Sequence, residues 1–406
     1  MPIHSPIVVS WSRALAMVAA LAFTLNAVAT TPSSEKPTPP ATPGASTPSS
    51  GHVAAGARGG PWWTAAARVL AGMDGPVPEE LVAFAKRPSV VQHRIEFDRA
   101  WGRFAAERLK PVSAFSAREL GLPQALGPIY YPFSGPDVLY ALALFPQAKE
   151  FALTGLEPVG DVPDLSRLDD AQVTSSLAQL RQSLNAVLAL SFFRTNDMKA
   201  ELTQNRLSGV TPILLIFLAR QQAEIAAVQP FILEKDGNLK LTTPSALNNV
   251  ASSRIPGVRV TFTMPPDPQE RTLYYFAADL SNQGLSNTPQ YLPWIDGYAP
   301  RATLVKSASY LMHKSYFSAV RSLILERSSL VVQDDSGIPF RLFSEPVWDR
   351  RLLGAYTGPI PLFANWFQKE MKDAYDKAAV PIEFGIGYQH MNKRSNLQIF
   401  VKRSSR

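Results

Sequence analysis

Several places in this 406-residue chain combine residue types that could do chemistry. Ser134 and Asp137 follow an apolar run (129–133) with the spacing S-x-x-D. That spacing suits a capping box, in which a hydroxyl and a carboxylate three residues on satisfy the free N–H groups of a helix start. The same pair could equally hold a ligand. Glu157 ends a second apolar run (150–156) and precedes Pro158, so a buried carboxylate there needs a partner, a water or a ligand. Lys306 and Ser309 carry the two groups of the S-x-x-K hydrolases in reversed order. Asp334 and Asp335 follow Leu330–Gln333, where hydrolytic and metal enzymes place carboxylates, although D-D-S-G is also a common turn. His93, His313 and His390 have no metal-spaced partners, and H-E-x-x-H, G-x-S-x-G and P-loop patterns are missing from the sequence. The residue types therefore ask for no metal and no cofactor.

The elements that must position these groups follow from periodicity. Residues 129–160 read as strand, tight turn, helix (about 136–145) and strand, the βαβ seed of a parallel sheet. Before it, 62–120 is helical. Ile95, Trp101, Phe104 and Leu109 form one face with Phe97 at its edge, His93 is structural or exposed, and Lys110-Pro111 is the stop. After it, Val173, Leu177, Leu180, Leu184, Val187 and Leu188 recur at helical spacing, and Thr211-Pro212 opens a buried helix reaching about Ala227. A hairpin turns at Asp236-Gly237, strands follow at 258–263 and 272–278, and 281–300 is an ordered loop carrying Trp294 and Tyr298. Helix returns over 303–327, broken near Lys314-Ser315, which starts Lys306 on a helix with His313 seven residues on. Leu362, Phe363, Trp366, Phe367, Met371 and Ala374 mark a late helix. Strands at 382–388 and 396–402 close the chain as an antiparallel hairpin around a surface loop with His390, Lys393 and Arg394.

Composition sets the class. With 46% hydrophobic residues the chain can bury a large core. A net charge of +7 with no long Lys or Arg run gives no reason to expect a nucleic-acid partner. Arg13, an apolar run of about 12 residues (14–25) and Ala27-Val28-Ala29 spell a secretory leader cleaved after Ala29, too short to span a bilayer. Cysteine is absent, so an oxidising compartment is tolerated without disulfides. Residues 30–60, rich in Pro, Ser, Thr, Gly and Ala, read as a disordered tether. The expected organisation is leader 1–29, linker 30–60, helical layer 61–120 and α/β domain 121–406, with no integral span in the mature chain.

Two resemblances follow. The alternating strands and helices with a closing hairpin resemble class I methyltransferases, and Glu157 stands about 20 residues past the first turn, where such folds keep a ribose-binding acid. The turn 133–137 has one glycine, however, and Pro136 removes a donor, so no nucleotide cofactor is expected. PFSGPDVLYALALFP, GLEPVG, VKSASYLMH, QDDSGIPFR, GAYTGPIPLF and FGIGY with SNL resemble an uncharacterised family of exported bacterial proteins. That resemblance implies an exported location and carries over no catalytic residue. The expectation is an α/β protein, a Rossmann-like three-layer sandwich with helical and hairpin insertions. Its site gathers Ser134, Asp137, Glu157, Lys306, Asp334 and Asp335 at the carboxyl edge of the sheet, for a small molecule or an envelope protein. The alternative is an enzyme using the same carboxylates with Lys306.

Overall fold

The computed structural model describes residues 58–120, 127–190, 207–297, 302–390 and 395–403. The expected leader and nearly all of the expected linker lie outside them. Residues 58–406 form one compact unit, so the helices of 61–120 and the α/β body share it.

The strands are β1 (Ile129–Tyr131), β2 (Glu150–Gly155), β3 (Glu224–Leu233), β4 (Leu239–Leu241), β5 (Ile255–Met264), β6 (Asp267–Ala277), β7 (Ala302–Val305), β8 (Leu330–Gln333), β9 (Trp348–Gly354) and β10 (Asn396–Lys402). They form one ten-stranded mixed sheet in the order β4-β3-β5-β6-β2-β1-β7-β8-β10-β9. The central five, β6-β2-β1-β7-β8, are parallel. β3, β4 and β5 on one side and β10 and β9 on the other add antiparallel pairings. The margins are β4, three residues long, and β9, whose Leu353 is bridged by Val380.

The strands β1, β2, β7 and β8 are buried at nearly every position, because both faces are covered. Ile129, Tyr131, Phe151, Leu153, Leu304 and Val332 join one apolar cluster. Their neighbours Tyr130, Ala152, Val305 and Val331 join another. This alternation is the period of a pleated strand. The first cluster takes in α1 (Gly60–Leu70), α2 (Glu79–Ala85), α3 (Pro88–Phe104), α4 (Lys110–Glu119), α5 (Val138–Leu144), α6 (Asp170–Leu190) and α7 (Thr211–Arg220). The second takes in α8 (Asn282–Asn287), α9 (Tyr291–Gly297), α10 (Ser318–Arg327) and α11 (Lys369–Ala378). α7 shows the logic of a buried helix: every residue from Thr211 to Ala219 is buried, with Pro212 in the first turn where its missing N–H costs nothing.

The crossovers diverge at the middle of the sheet. From β1 the chain passes through α5 to β2, and from β7 through α10 to β8 on the opposite side. α5 belongs to the first apolar cluster and α10 to the second. Neighbouring β1 and β7 thus send their connections apart, over different faces.

The structure corrects several sequence-based expectations. Residues 302–305 form a strand, so Lys306 leaves β7 and does not begin a helix. Tertiary pairing with β1 and β8 outweighs the helical pattern there. The loop expected over 281–300 contains α8 and α9, the first capped by Ser281. α7 ends at Arg220, because Gln222 turns to φ +65° and leads into β3. Lys110-Pro111 does not stop the N-terminal helix. A π-turn over Ala105–Leu109 carries the chain into α4 with Pro111 in its first turn. Trp101, Phe104 and Leu109 of the expected face are buried, but Phe97 is buried with them in place of Ile95, which is half exposed. The late helix is broken near Gln368 into a 3-10 segment (Pro361–Trp366) and α11. The closing hairpin does not form: β10 pairs with β8 and β9, and 382–388 forms no strand. Pro381, Gly385 and Gly387 interrupt that stretch, and Gly387 adopts φ +70°.

Candidate functional site

Parallel strands deliver their exits to one edge, and there the sequence-marked groups are found, all of them buried. At the exit of β1, Phe133 and Gly135 take φ +58° and +52°, folding the chain back against β2. Ser134 does not form a capping box. Its N–H donates to the Thr154 carbonyl (2.8 Å) and its Oγ accepts from Thr154 N–H (3.2 Å), tying the turn to β2. The cap is Asp137 itself, whose Oδ1 accepts from Tyr140 N–H at 3.3 Å. Its Oδ2 accepts from Tyr131 Oη (2.8 Å) and from Lys306 Nζ (2.9 Å). Lys306 lies 4.1 Å above the Tyr140 ring centroid, with 2% of its side chain exposed. A buried pair of this kind must recover a large desolvation cost, and these added donors and the ring face are what recover it.

At the exit of β8, Asp334 Oδ1 accepts from Ser336 N–H (2.9 Å) and Oγ (2.5 Å), and its Oδ2 from Ser307 N–H (2.8 Å). Asp335 accepts from Tyr310 Oη and from Asn396 Nδ2 (3.0 Å). Burial, then the neighbouring Asp334 charge, pushes the Asp335 carboxyl up to about 7. Burial also raises Asp334, against which Lys306 pulls. Tyr131 is raised well above the phenol range by burial and by the Asp137 charge.

The loop after β7 carries the strain of the site. Ser307, Ser309 and Tyr310 take φ of +53°, +52° and +52°. Side chains from other loops hold them there. Ser307 N–H is spent on Asp334, Ala308 N–H on Ser336 Oγ (2.7 Å) and Ser309 N–H on Tyr388 Oη (3.1 Å). Tyr388 Oη donates to the Ser307 carbonyl (2.7 Å), and Gly387 packs so tightly on Asp334 that a Cβ would collide with the carboxylate. Over this loop the rings of Tyr310 and Phe363 (5.1 Å) and of Phe363 and Tyr388 (5.3 Å) meet. Gln368 Nε2 donates to the Asp335 carbonyl at 3.2 Å. Two buried oxygens close to this network lack a hydrogen-bond partner, Ser307 Oγ and Asn396 Oδ1.

Glu157 is held by partners of its own. Its carboxylate folds back over Gly135 and Gly155, where a side chain would meet it, and accepts from Tyr275 Oη at 3.3 Å. The sequence reading grouped Ser134, Asp137, Glu157, Lys306, Asp334 and Asp335 in one cluster, of which the structure brings Lys306 onto Asp137, and it missed Tyr131, Ser307, Tyr310, Tyr388 and Asn396. Asn396 could have been found only from the pairing of β10 with β8. His390 and His93 are buried, His93 Nε2 lying 2.8 Å from the Leu70 carbonyl.

Two cavities open elsewhere. One of about 330 Å³ lies at the exit of β6, lined in part by Ser252, Arg254, Asp279 and Thr288. Another of about 590 Å³ lies in the helical layer beside Asp74, Arg94, Asp98 and Arg220. Among the described residues no group of three or more His, Cys, Asp or Glu could hold a metal ion, and no helix is long and apolar enough to cross a membrane. No family model, curated protein or solved structure matches the chain.

Proposed function

We propose that this is an exported protein, cleaved after Ala29, that binds a small molecule at the carboxyl ends of β1, β7 and β8. The framework is a Rossmann-like three-layer arrangement, helices on either side of the sheet. The observation that carries the reading is the placement of backbone strain. Five non-glycine residues take positive φ among those described, and four of them, Phe133, Ser307, Ser309 and Tyr310, leave β1 and β7. Such conformations cost about 1–3 kcal/mol each and cluster where a loop must present groups to a ligand. β1 and β7 are also the strands whose crossovers part, the crevice open α/β sheets use for ligands.

The ligand is not a nucleotide on this reading. Glu157 fills the space over Gly135 and Gly155 that a phosphate or ribose would need. Calorimetry with S-adenosylmethionine should give no isotherm at micromolar concentration. An acyl-transfer enzyme is disfavoured as well, because the N–H groups of 307–309 that could stabilise an oxyanion are already spent. A catalytic alternative rests on Asp335, an acid protonated near neutral pH.

The test is a thermal-shift screen with a panel of amines, sugars, carboxylic acids and nucleotides. A binding compound should raise the Tm, and Ser307→Ala should abolish the shift while leaving the unliganded Tm unchanged, since Ser307 Oγ has no partner to lose. A panel without a single shift, or a shift indifferent to Ser307→Ala, would defeat the proposal.

A further inference from the structure

We propose that the site at the exits of β7 and β8 takes a small organic cation, an amine or a quaternary ammonium. Asp334 and Asp335 supply its carboxylates, and the rings of Tyr310, Phe363 and Tyr388 its aromatic contacts. The inference rests on the binding function proposed above and names its ligand class.

Charge is the first argument. Asp137 is matched by Lys306 at 2.9 Å. Asp335 receives neutral donors, Tyr310 Oη and Asn396 Nδ2, and stands next to a second buried carboxylate. Buried negative charge without a matching cation is costly, and it is relieved either by a proton or by a cation. An anion would add to the cost.

The second argument is the unused hydrogen-bonding capacity. Asn396 is 2% exposed, its amide nitrogen is on Asp335, and its Oδ1 has no donor. A carboxamide oxygen can only accept. Ser307 Oγ, also without a partner, leaves β7 beside the same carboxylates. The amide oxygen awaits an N–H or O–H donor, and the hydroxyl can take either role.

The third is the aromatic cover. Ring centroids run Tyr388 to Phe363 (5.3 Å), Phe363 to Tyr310 (5.1 Å), Tyr310 to His313 (5.1 Å) and His313 to Trp366 (5.5 Å). Ring faces attract ammonium groups and repel anions. His313, lowered to about 4 by burial and by Arg321 and Arg341, is neutral at physiological pH and adds no opposing charge.

A cation and the Asp335 proton compete for one place, so affinity should depend on pH. The groups facing Asp335 are Asp334, Tyr310, Tyr356, Tyr375 and Tyr388. The four phenols are all pushed above their usual range and do not titrate between pH 6 and 8. Lys306 acts through Asp334. Below pH 7, cation affinity should therefore fall about tenfold per unit.

The experiment is isothermal calorimetry on the purified protein with choline and with putrescine at pH 8 and pH 6, inorganic phosphate and glucose serving as anionic and neutral comparators. At least one cation should bind at pH 8 and bind about tenfold more weakly at pH 6. Asp335→Asn, checked for folding by circular dichroism, should lose at least about tenfold in affinity and its pH dependence. Phe363→Ala, at a half-buried position, should weaken choline more than putrescine. Silence from both cations at about 10 mM and pH 8 would overturn the class, as would cation binding indifferent to Asp335→Asn. Should phosphate or glucose bind instead, and lose binding in Ser307→Ala, the edge is a ligand site and only the class is wrong.

Discussion

Lys306 and Asp137 join the loops after β7 and β1 through a contact from which water is excluded. Removing one partner leaves the other charged and stranded, so Lys306→Met should cost about 3–5 kcal/mol in urea unfolding. Asp137→Asn should be costly for the same reason, and the double variant should be milder than the sum by about 1–3 kcal/mol. A second residue-scale prediction concerns pH. Asp335 is raised to about 7 in the folded chain, against about 3.9 when unfolded. Between these values the folded chain holds a proton that the unfolded chain has released, so this group's contribution is present at low pH and lost as pH rises to 7, by up to about 1.4 kcal/mol per unit. His93 and His313, lowered to about 4 mainly by burial, act the other way. Their contribution is intact above about 6.5 and lost as pH falls toward 4. Two histidines against one carboxyl should leave the wild-type Tm rising gently between pH 4 and 6.5, and Asp335→Asn should steepen that rise. Asp137, Glu157, Asp334 and Asp335 were legible in the sequence because each follows an apolar strand, whereas Lys306 was singled out at the start of an expected helix where β7 in fact ends. Tyr310 and Asn396 were not, because what makes them matter is proximity to Asp335, 25 and 61 residues away in the chain.

At the scale of elements, the exit of β2 is locked to the start of α7. Gly160 (φ +67°) and Gly209 (φ +74°) face each other so closely that a Cβ on either would approach the other's backbone nearer than 3.0 Å. Val210 and Thr211 N–H donate to the Pro158 and Val159 carbonyls at 3.0 Å each. Gly160→Ala or Gly209→Ala should therefore destabilise by on the order of 2–4 kcal/mol, measured by chemical denaturation. Ala at Gly237, a hairpin tip with open space around it, should lose only the smaller cost of its φ of +83°. The βαβ unit, the β3–β4 hairpin and α6 were readable because their periods are unbroken. The strand β9, W-D-R-R-L-L-G, was not, because charged residues occupy half of a margin strand whose pairing is chosen by β10. The segment 302–305 misled for a complementary reason: a run as short as Ala-Thr-Leu-Val fits a helix and a buried strand alike.

For the whole molecule, the boundary between tail and body falls at Arg58, whose guanidinium donates to the Val162 carbonyl (2.6 Å) and lies 4.2 Å over the Trp62 ring. Deleting residues 30–57 should leave the Tm within a degree or so, whereas deletion through Gly60 should lower it measurably, since α1 loses that anchor. On the export proposed above, the intact mass of protein recovered outside the cytoplasm should begin at Thr30. The helical layer, expected to pack on the α/β body, shares one apolar cluster with the sheet and should unfold with it in a single transition.

The sheet margins carry a consequence for solubility, which would matter most on the export route proposed above. A long bare strand recruits its own kind, edge to edge, and crowded secretory compartments punish that. Here one margin is three residues long and the other is flanked by Val380 and studded with Asp349, Arg350 and Arg351, of which Arg351 pairs with Glu119 and Asp349 with Arg403. Neither offers a template for fibrils, so the finished protein should stay monodisperse when concentrated, and Arg350 and Arg351 replaced together by valine should make it self-associate.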